Sequence, residues 1–167
     1  MSGADFDLKD VSIVLAEERD HPAVLDIFRE GVREGQLREN DTGADIENLF
    51  EGYFSDDGAS AFWVARLGAS VIGMVGVQRT SENTAEICRL RVRERYRRHG
   101  VGSMLLEEAT NFCRRHGYLK VVLDVRIDRG PAIAMFKNFG FTLARTREID
   151  QRKVLDFFLD LYSDPKA

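Results

Sequence analysis

Cysteine is nearly absent from this chain. Cys88 and Cys113 are the only two, too few for a disulfide framework. Both fall in apolar-patterned segments, as buried free thiols in a reducing compartment do. Histidine is also scarce. His21, His99 and His116 lie far apart, without the spacing of a metal site. No apolar run approaches the roughly 18 residues of a membrane span. Met1 to Asp10 lacks the charged-then-apolar pattern of a secretory signal. A cytoplasmic protein without a membrane partner is expected. No internal repeat, low-complexity linker or nucleophile triad is visible, so residues 1–167 read as one domain. The net charge of −4 speaks against general nucleic-acid binding. What remains, with 44% hydrophobic and 31% charged residues, is the composition of a soluble globular chain.

The apolar residues that are there fall into regular patterns. Val11 to Ala16 reads as a strand. His21 to Gly35 reads as a helix, with Val24, Ile27, Phe28 and Val32 on one face, and Gln36 to Thr42 as a polar connection. Ile46, Leu49, Phe50 and Tyr53 mark a second helix, closed by the turn residues Ser55 to Gly58. Ala61 to Leu67 and Val71 to Gln78 form a hairpin around Gly68-Ala69-Ser70. Thr84 to Val92 is a further strand, and Ser103 to His116 a helix that Gly117 ends. Leu119 to Val125 is a continuous apolar run, fitting a buried strand. Gly130-Pro131 opens a short helix that closes at Gly140, and Thr142 to Ile149 and Lys153 to Tyr162 are two last strands. The order is βααβββαβαββ.

The run Arg97-Arg98-His99-Gly100-Val101-Gly102 stands between a strand and a helix. Glycine lets the backbone approach a ligand closely. The first N–H groups of a helix lack internal partners and sit at the positive end of its dipole. Together they make an anion site suited to phosphate. The loop is not a Walker A motif, since Gly-Lys-Ser/Thr is missing. Nor is it a full dinucleotide fingerprint, since Leu105 replaces the third glycine.

The spacing Arg97-x-x-Gly100-x-Gly102 instead resembles the Q/R-x-x-G-x-G/A signature of the GNAT superfamily of acyl-CoA-dependent N-acetyltransferases. Leu90-x-Val92 before it and Ala132-x-x-x-Phe136-x-x-x-Gly140-Phe141 after it are in the same register, and the resemblance covers Ser60 to Leu143. It implies an α/β (mixed α+β) fold. The expected sheet has seven strands, is mostly antiparallel, and carries one splayed parallel pair, with about four helices around it. It implies acetyl-CoA as cosubstrate, no metal, and direct attack by a primary amine in a ternary complex. Arg97, Arg98 and His99, with the N–H groups of Val101, Gly102 and Ser103 after Gly100, would hold the pyrophosphate. The backbone of Leu90, Arg91 and Val92 would pair with the pantetheine arm.

Two positions depart from the family pattern. Phe136 stands where many members have a tyrosine that protonates the leaving thiolate. Arg129 stands where asparagine is usual and would instead reach a phosphate. The acid would then be water or one of Tyr53, Tyr96, Tyr118 and Tyr162. Strict alternation puts Glu86 on one face of its strand with Cys88, Leu90 and Val92, and Arg89 and Arg91 on the other. Some members carry the general base at the place of Glu86; the alternative there is a salt bridge. The first two helices carry Glu30, Glu34, Glu39, Asp41, Asp45, Glu47, Glu51, Asp56 and Asp57 against Arg33 and Arg38, a field that would draw a cationic acceptor. The apolar strand Val154 to Phe158 would pair across a homodimer. A non-catalytic acyl-CoA-binding module and a protein-interaction domain are the competing functions.

Overall fold

The computed structural model describes residues 5–35 and 41–162. Its strands are β1 (Val11–Leu15), β2 (Ala61–Leu67), β3 (Ser70–Arg79), β4 (Thr84–Val92), β5 (Lys120–Arg126), β6 (Thr142–Ile149) and β7 (Arg152–Asp160). Its helices are α1 (His21–Arg33), α2 (Ala44–Glu47), α3 (Leu49–Tyr53), α4 (Val101–His116) and α5 (Gly130–Asn138). The strands form one sheet in the order β1-β2-β3-β4-β5-β7-β6. Every neighbouring pair is antiparallel except β4 and β5, which run parallel. This is the seven-stranded, mostly antiparallel sheet with one parallel pair that the family resemblance implies.

Two apolar clusters hold the layers. On one face, α4 lays Val101, Leu105, Leu106, Ala109 and Cys113 against the sheet, and Phe136 of α5 packs with Phe141 and Phe157. This is the stripe read from helical spacing. On the other face, Val24 and Ile27 of α1, Ile46 of α2, and Leu49 and Tyr53 of α3 cover Phe62, Val64 and Met74.

Three expectations change. The helix expected over residues 46–53 is two short helices. Asn48 leaves helical geometry at φ −111° and ψ 55°, and its amide donates to Ala44 O at 3.1 Å. A side chain that bonds locally to the backbone competes with the helix in this way. β7 is not an edge. It lies between β5 and β6, so Val154 to Phe158 already has both its backbone edges paired and cannot join a second copy by strand pairing. The third change concerns β4, at the site itself. Of the polar connection Gln36 to Thr42, residues 36–40 lie outside the described residues, and with them Arg38 and Glu39.

Candidate active site

β4 and β5 run together for three residues only. Thr84, Ala85 and Glu86 pair with Lys120, Val121 and Val122, and then the strands part. A local cause lies just beyond. On the β3 side, Gly76 faces Cys88 and Met74 faces Arg91, so Arg89 and Leu90 together oppose Val75. This bulge bends its strand. Arg89 has φ +56°, the left-handed region where such bulges normally place glycine.

The bulge also overturns the expected alternation along β4. Ala85, Ile87, Leu90 and Val92 face the α4 cluster. Cys88 packs with the cluster under α1 to α3. Arg89 and Arg91 reach acidic groups of α2 and α1. Glu86 alternates with Ala85 and Ile87, so it shares a face with Cys88, Arg89 and Arg91, not with Leu90 and Val92. That face is polar and charged rather than apolar.

Where β4 and β5 part, a cleft of about 920 Å³ opens. Its walls include Glu86 to Val92, Arg97, Arg98, Gly100 to Ser103, Arg129, Ala132 and Phe136. At one end lies the N-terminus of α4. Gly100 caps it with φ +98°, and Met104 is the first residue to bond back, to Gly100 O at 3.2 Å. The N–H groups of Val101, Gly102 and Ser103 therefore have no intrahelical partner. A Cβ built on Gly102 would meet Met135 at 3.6 Å and Val92 at 3.9 Å, both ordinary contacts. Packing alone does not demand glycine there, whereas close approach of a ligand does. Burial pulls the guanidinium groups of Arg91 and Arg129 below the ordinary arginine value, and an incoming anion would offset that cost. These features fit the pyrophosphate of coenzyme A, and the edge of β4 beyond Glu86 fits an extended arm laid beside it.

The basic loop is only partly available. Arg97 gives Nε to Val92 O at 2.7 Å and forks onto Glu34 at 2.9 and 3.0 Å. The hydrogen bond to Glu34 raises the Arg97 pKa above its ordinary value. Glu34 is held below the usual carboxylate range, chiefly by that same bond, against the effect of burial. Half of the expected Arg97 charge is thus committed to α1. Arg98 is exposed, in a turn with φ +69°, and lines the cleft. The ring of His99 lies outside it, 4.6 Å from Phe6, with Nδ1 2.8 Å from Arg97 O.

The acceptor-side acids are likewise engaged. Arg89 holds Asp41 at 2.6 and 2.9 Å and Asp45 at 2.7 and 3.1 Å, with its guanidinium 5.1 Å from the Phe28 ring centre. Arg91 holds Glu34 at 2.7 Å, and Arg93 holds Asp26 and Glu30. Gly31, in the middle of α1, makes room for Arg91: a Cβ there would stand 3.0 Å from its guanidinium. The Tyr53 hydroxyl donates to Asp45 at 2.5 Å and lies 3.3 Å from Cys88 Sγ. Burial pushes the Cys88 thiol up to about 12, with the Tyr53 hydrogen bond opposing it, so this cysteine is a protonated thiol and a poor nucleophile.

Among the four tyrosines, only Tyr96 lines the cleft. Tyr118 donates to Ala59 O, and Tyr162 is 80% exposed at the far end of the chain. Phe136 is buried in its aromatic cluster on the cleft wall. The sequence reading missed the Arg89 pairs. It also missed the Arg91 pair, for which the available signal was Gly31, a glycine inside a helix, which marks a close approach.

The comparisons with known proteins agree with this geometry. The acetyltransferase (GNAT) family model matches residues 23–141. N-acetyltransferase 8 of Homo sapiens is 32% identical over 102 residues, 58% of this chain and 44% of that protein. N-acetylaspartate synthetase of Rattus norvegicus is 33% identical over 99 residues, 59% of this chain and 32% of that protein. The matched region thus spans less than half the length of either relative. Among solved structures, a GCN5-related N-acetyltransferase from Kribbella flavida superimposes with a TM-score of 0.80 at 21% identity, over 93% of this chain and 100% of that one. Spermidine N-acetyltransferase from Vibrio cholerae, in complex with CoA and spermine, does so with 0.74 at 14% identity, over 91% and 96%. The family match covers most of the chain: the chain belongs to the GNAT acetyltransferase family.

Proposed function

We propose that the protein is an N-acetyltransferase that moves an acetyl group from acetyl-CoA to a primary amine in a ternary complex. The observation that carries this reading is the cleft where β4 leaves β5, with the bare helix N-terminus of α4 at one end and Glu86 at the other. The backbone N–H groups of Val101, Gly102 and Ser103, with Arg98 and Arg129, would hold the pyrophosphate. The backbone of Leu90 and Arg91 would pair with the pantetheine arm as a strand edge does.

The chemistry then follows from charge. An ammonium has no lone pair, so the amine must lose a proton before its nitrogen attacks the thioester carbonyl. Glu86 is the proposed base, acting directly or through water. As the C–N bond forms, negative charge grows on the carbonyl oxygen, and backbone groups of β4 stabilise it. The C–S bond then breaks. As the thiolate leaves, the attacking nitrogen loses its second proton, which passes through water to the departing sulfur, since Phe136 offers none. A thiol with a pKa near 8.5 is a tolerable leaving group.

The acceptor would approach from the α1 to α3 side. Its acidic excess is smaller than composition suggests, because Arg89, Arg91 and Arg93 each cancel part of it. Four carboxylates (Asp41, Asp45, Glu86 and Asp124) line the cleft with the guanidinium of Arg89, which supports a cationic amine. Thiol release from acetyl-CoA against polyamines, amino acids, aminoglycosides and peptides tests the reading. Glu86→Gln should lower kcat on the order of 10²-fold near neutral pH and leave the KM for acetyl-CoA alone. The deficit should shrink as pH rises and more amine arrives unprotonated. A deficit independent of pH would leave Glu86 a structural carboxylate.

A further inference from the structure

Five described residues other than glycine have positive φ: Asp57, Arg89, Arg98, Asp150 and Gln151. Four of them lie in turns. Only Arg89 lies inside a strand. Nothing about arginine favours the left-handed region, and a Cβ there crowds the following carbonyl. Something outside the backbone must hold it, and the surroundings supply a clamp. Asp41 and Asp45 take the Arg89 guanidinium with four hydrogen bonds between 2.6 and 3.1 Å. Tyr53 secures Asp45 in turn, at 2.5 Å. Asp45 stays ionised in this setting: burial raises its pKa, but the hydrogen bonds from Arg89 and Tyr53 outweigh it and leave the group below its ordinary value.

The place of the clamp gives it a consequence. Arg89 is the centre of the bulge, and the bulge lies just past the point where β4 leaves β5. The backbone of residues 89–91 is the stretch that would face the thioester. Asp41 and Asp45 belong to the acceptor-side segment between α1 and α3. One ion-pair cluster thus joins the acceptor side of the cleft to the strand that would hold the acyl donor.

We propose that Asp41 and Asp45 act on the reaction through Arg89, as positioning residues that keep the β4 bulge in its left-handed conformation. The part of this that concerns turnover rests on the acetyltransferase reading above; the conformational part does not.

Two substitutions separate holding the bulge from touching the substrate. Arg89→Ala and Arg89→Gly remove the same guanidinium, but glycine adopts positive φ without strain and alanine does not. With the best acceptor, kcat of Arg89→Ala should fall about tenfold below that of Arg89→Gly, and the KM for acetyl-CoA should stay within about twofold in both. The double variant Asp41→Asn, Asp45→Asn keeps the guanidinium but loosens its hold, and its kcat should fall below wild type as well. Equal kcat in the alanine and glycine variants, or a wild-type kcat in the double variant, would overturn the proposal.

A second readout needs no turnover. In amide ¹H–¹⁵N spectra, the signals of Met74, Val75 and Gly76, which lie across from the bulge on β3, should keep wild-type positions in Arg89→Gly and move in Arg89→Ala. Unmoved signals in Arg89→Ala would also overturn the clamp. Absence of thiol release by the wild-type protein with every amine would count against the acetyltransferase reading alone, because the spectra still decide the conformational claim.

Discussion

The two faces of β4 are built by different means. Towards α4, the strand offers Ala85, Ile87, Leu90 and Val92 to an apolar cluster around Leu105 and Ala109. Towards α1 and α2 it offers Glu86, Cys88, Arg89 and Arg91, and arginines at 89, 91 and 93 tie the helices down through Asp26, Glu30, Glu34, Asp41 and Asp45. The first face rests on burial and on backbone groups that carry little sequence information. In the proposed reaction its edge would serve the acyl donor. The second rests on charge pairs, whose strength depends on pH, salt and each partner's identity. In the proposed reaction it would serve the acceptor.

The sharpest way to break the first face is Gly102→Glu. The new side chain fits beside Met135 with contacts no closer than 3.6 Å at its Cβ, so the fold should survive. Its charge would stand where the pyrophosphate lies, and like charges in such contact cost several kcal/mol. Affinity for coenzyme A should drop at least about 100-fold by calorimetry, with an unchanged circular dichroism spectrum. Unchanged affinity would remove the loop from the binding site.

Glu34→Gln probes the second face. Its carboxylate pairs with Arg91 at 2.7 Å and Arg97 at 2.9 Å. The folded pKa lies below the unfolded value of about 4.3, so the pair stabilises the protein fully above that pH and ceases to as pH falls through the folded pKa. The variant should lose about 1 kcal/mol at pH 7 by urea unfolding, the scale of a partly exposed pair. That difference should vanish towards pH 2, and 1 M salt should reduce it. A loss that is constant from pH 7 to pH 2 would mean that Glu34 acts by shape and not by charge.

The smallest effect is expected of Phe136→Tyr. The added hydroxyl enters an aromatic cluster beside Phe141 and Phe157 on the cleft wall. If proton delivery to the thiolate limits turnover, kcat near neutral pH should rise by up to a few-fold and the gain should fade by pH 9. Equal rates from pH 6 to 9 would show that thiolate protonation is not limiting.

The same contrast explains what could be read from the sequence. The α4 face follows from spacing: Val101, Leu105, Ala109 and Cys113 recur at helical intervals, and Gly100 and Gly117 stand at the two ends of α4. The mostly antiparallel seven-stranded sheet and its one parallel pair came with the family resemblance. The α1 face was misread because the bulge leaves no mark in composition. Arginine stands where glycine would have announced the turn, and one extra residue reverses the side of everything after it. The acidic excess was counted without Asp26, and a count does not show that Arg89, Arg91 and Arg93 would meet these groups. β7 looked like an edge because its apolar residues say that it is buried and not which strands flank it. The break at Asn48 depends on one side-chain hydrogen bond, a contact below the resolution of periodicity.

The brevity of the β4–β5 pairing has one more consequence. A cut between residues 116 and 120 divides the chain into two consecutive pieces, one holding β1 to β4 and the other β5 to β7, and no strand of either piece lies among those of the other. The seven strands are therefore two leaves joined along a seam three residues long. Beneath the seam the leaves share the apolar bed that α4 and α5 provide, and Arg126 and Arg152 of the second leaf donate to Gly35 O of the first. In the proposed reaction, a molecule laid into the opening would lengthen the seam, its amide groups taking up backbone partners along the edge of β4. The cosubstrate would then be a structural member as well as a reactant.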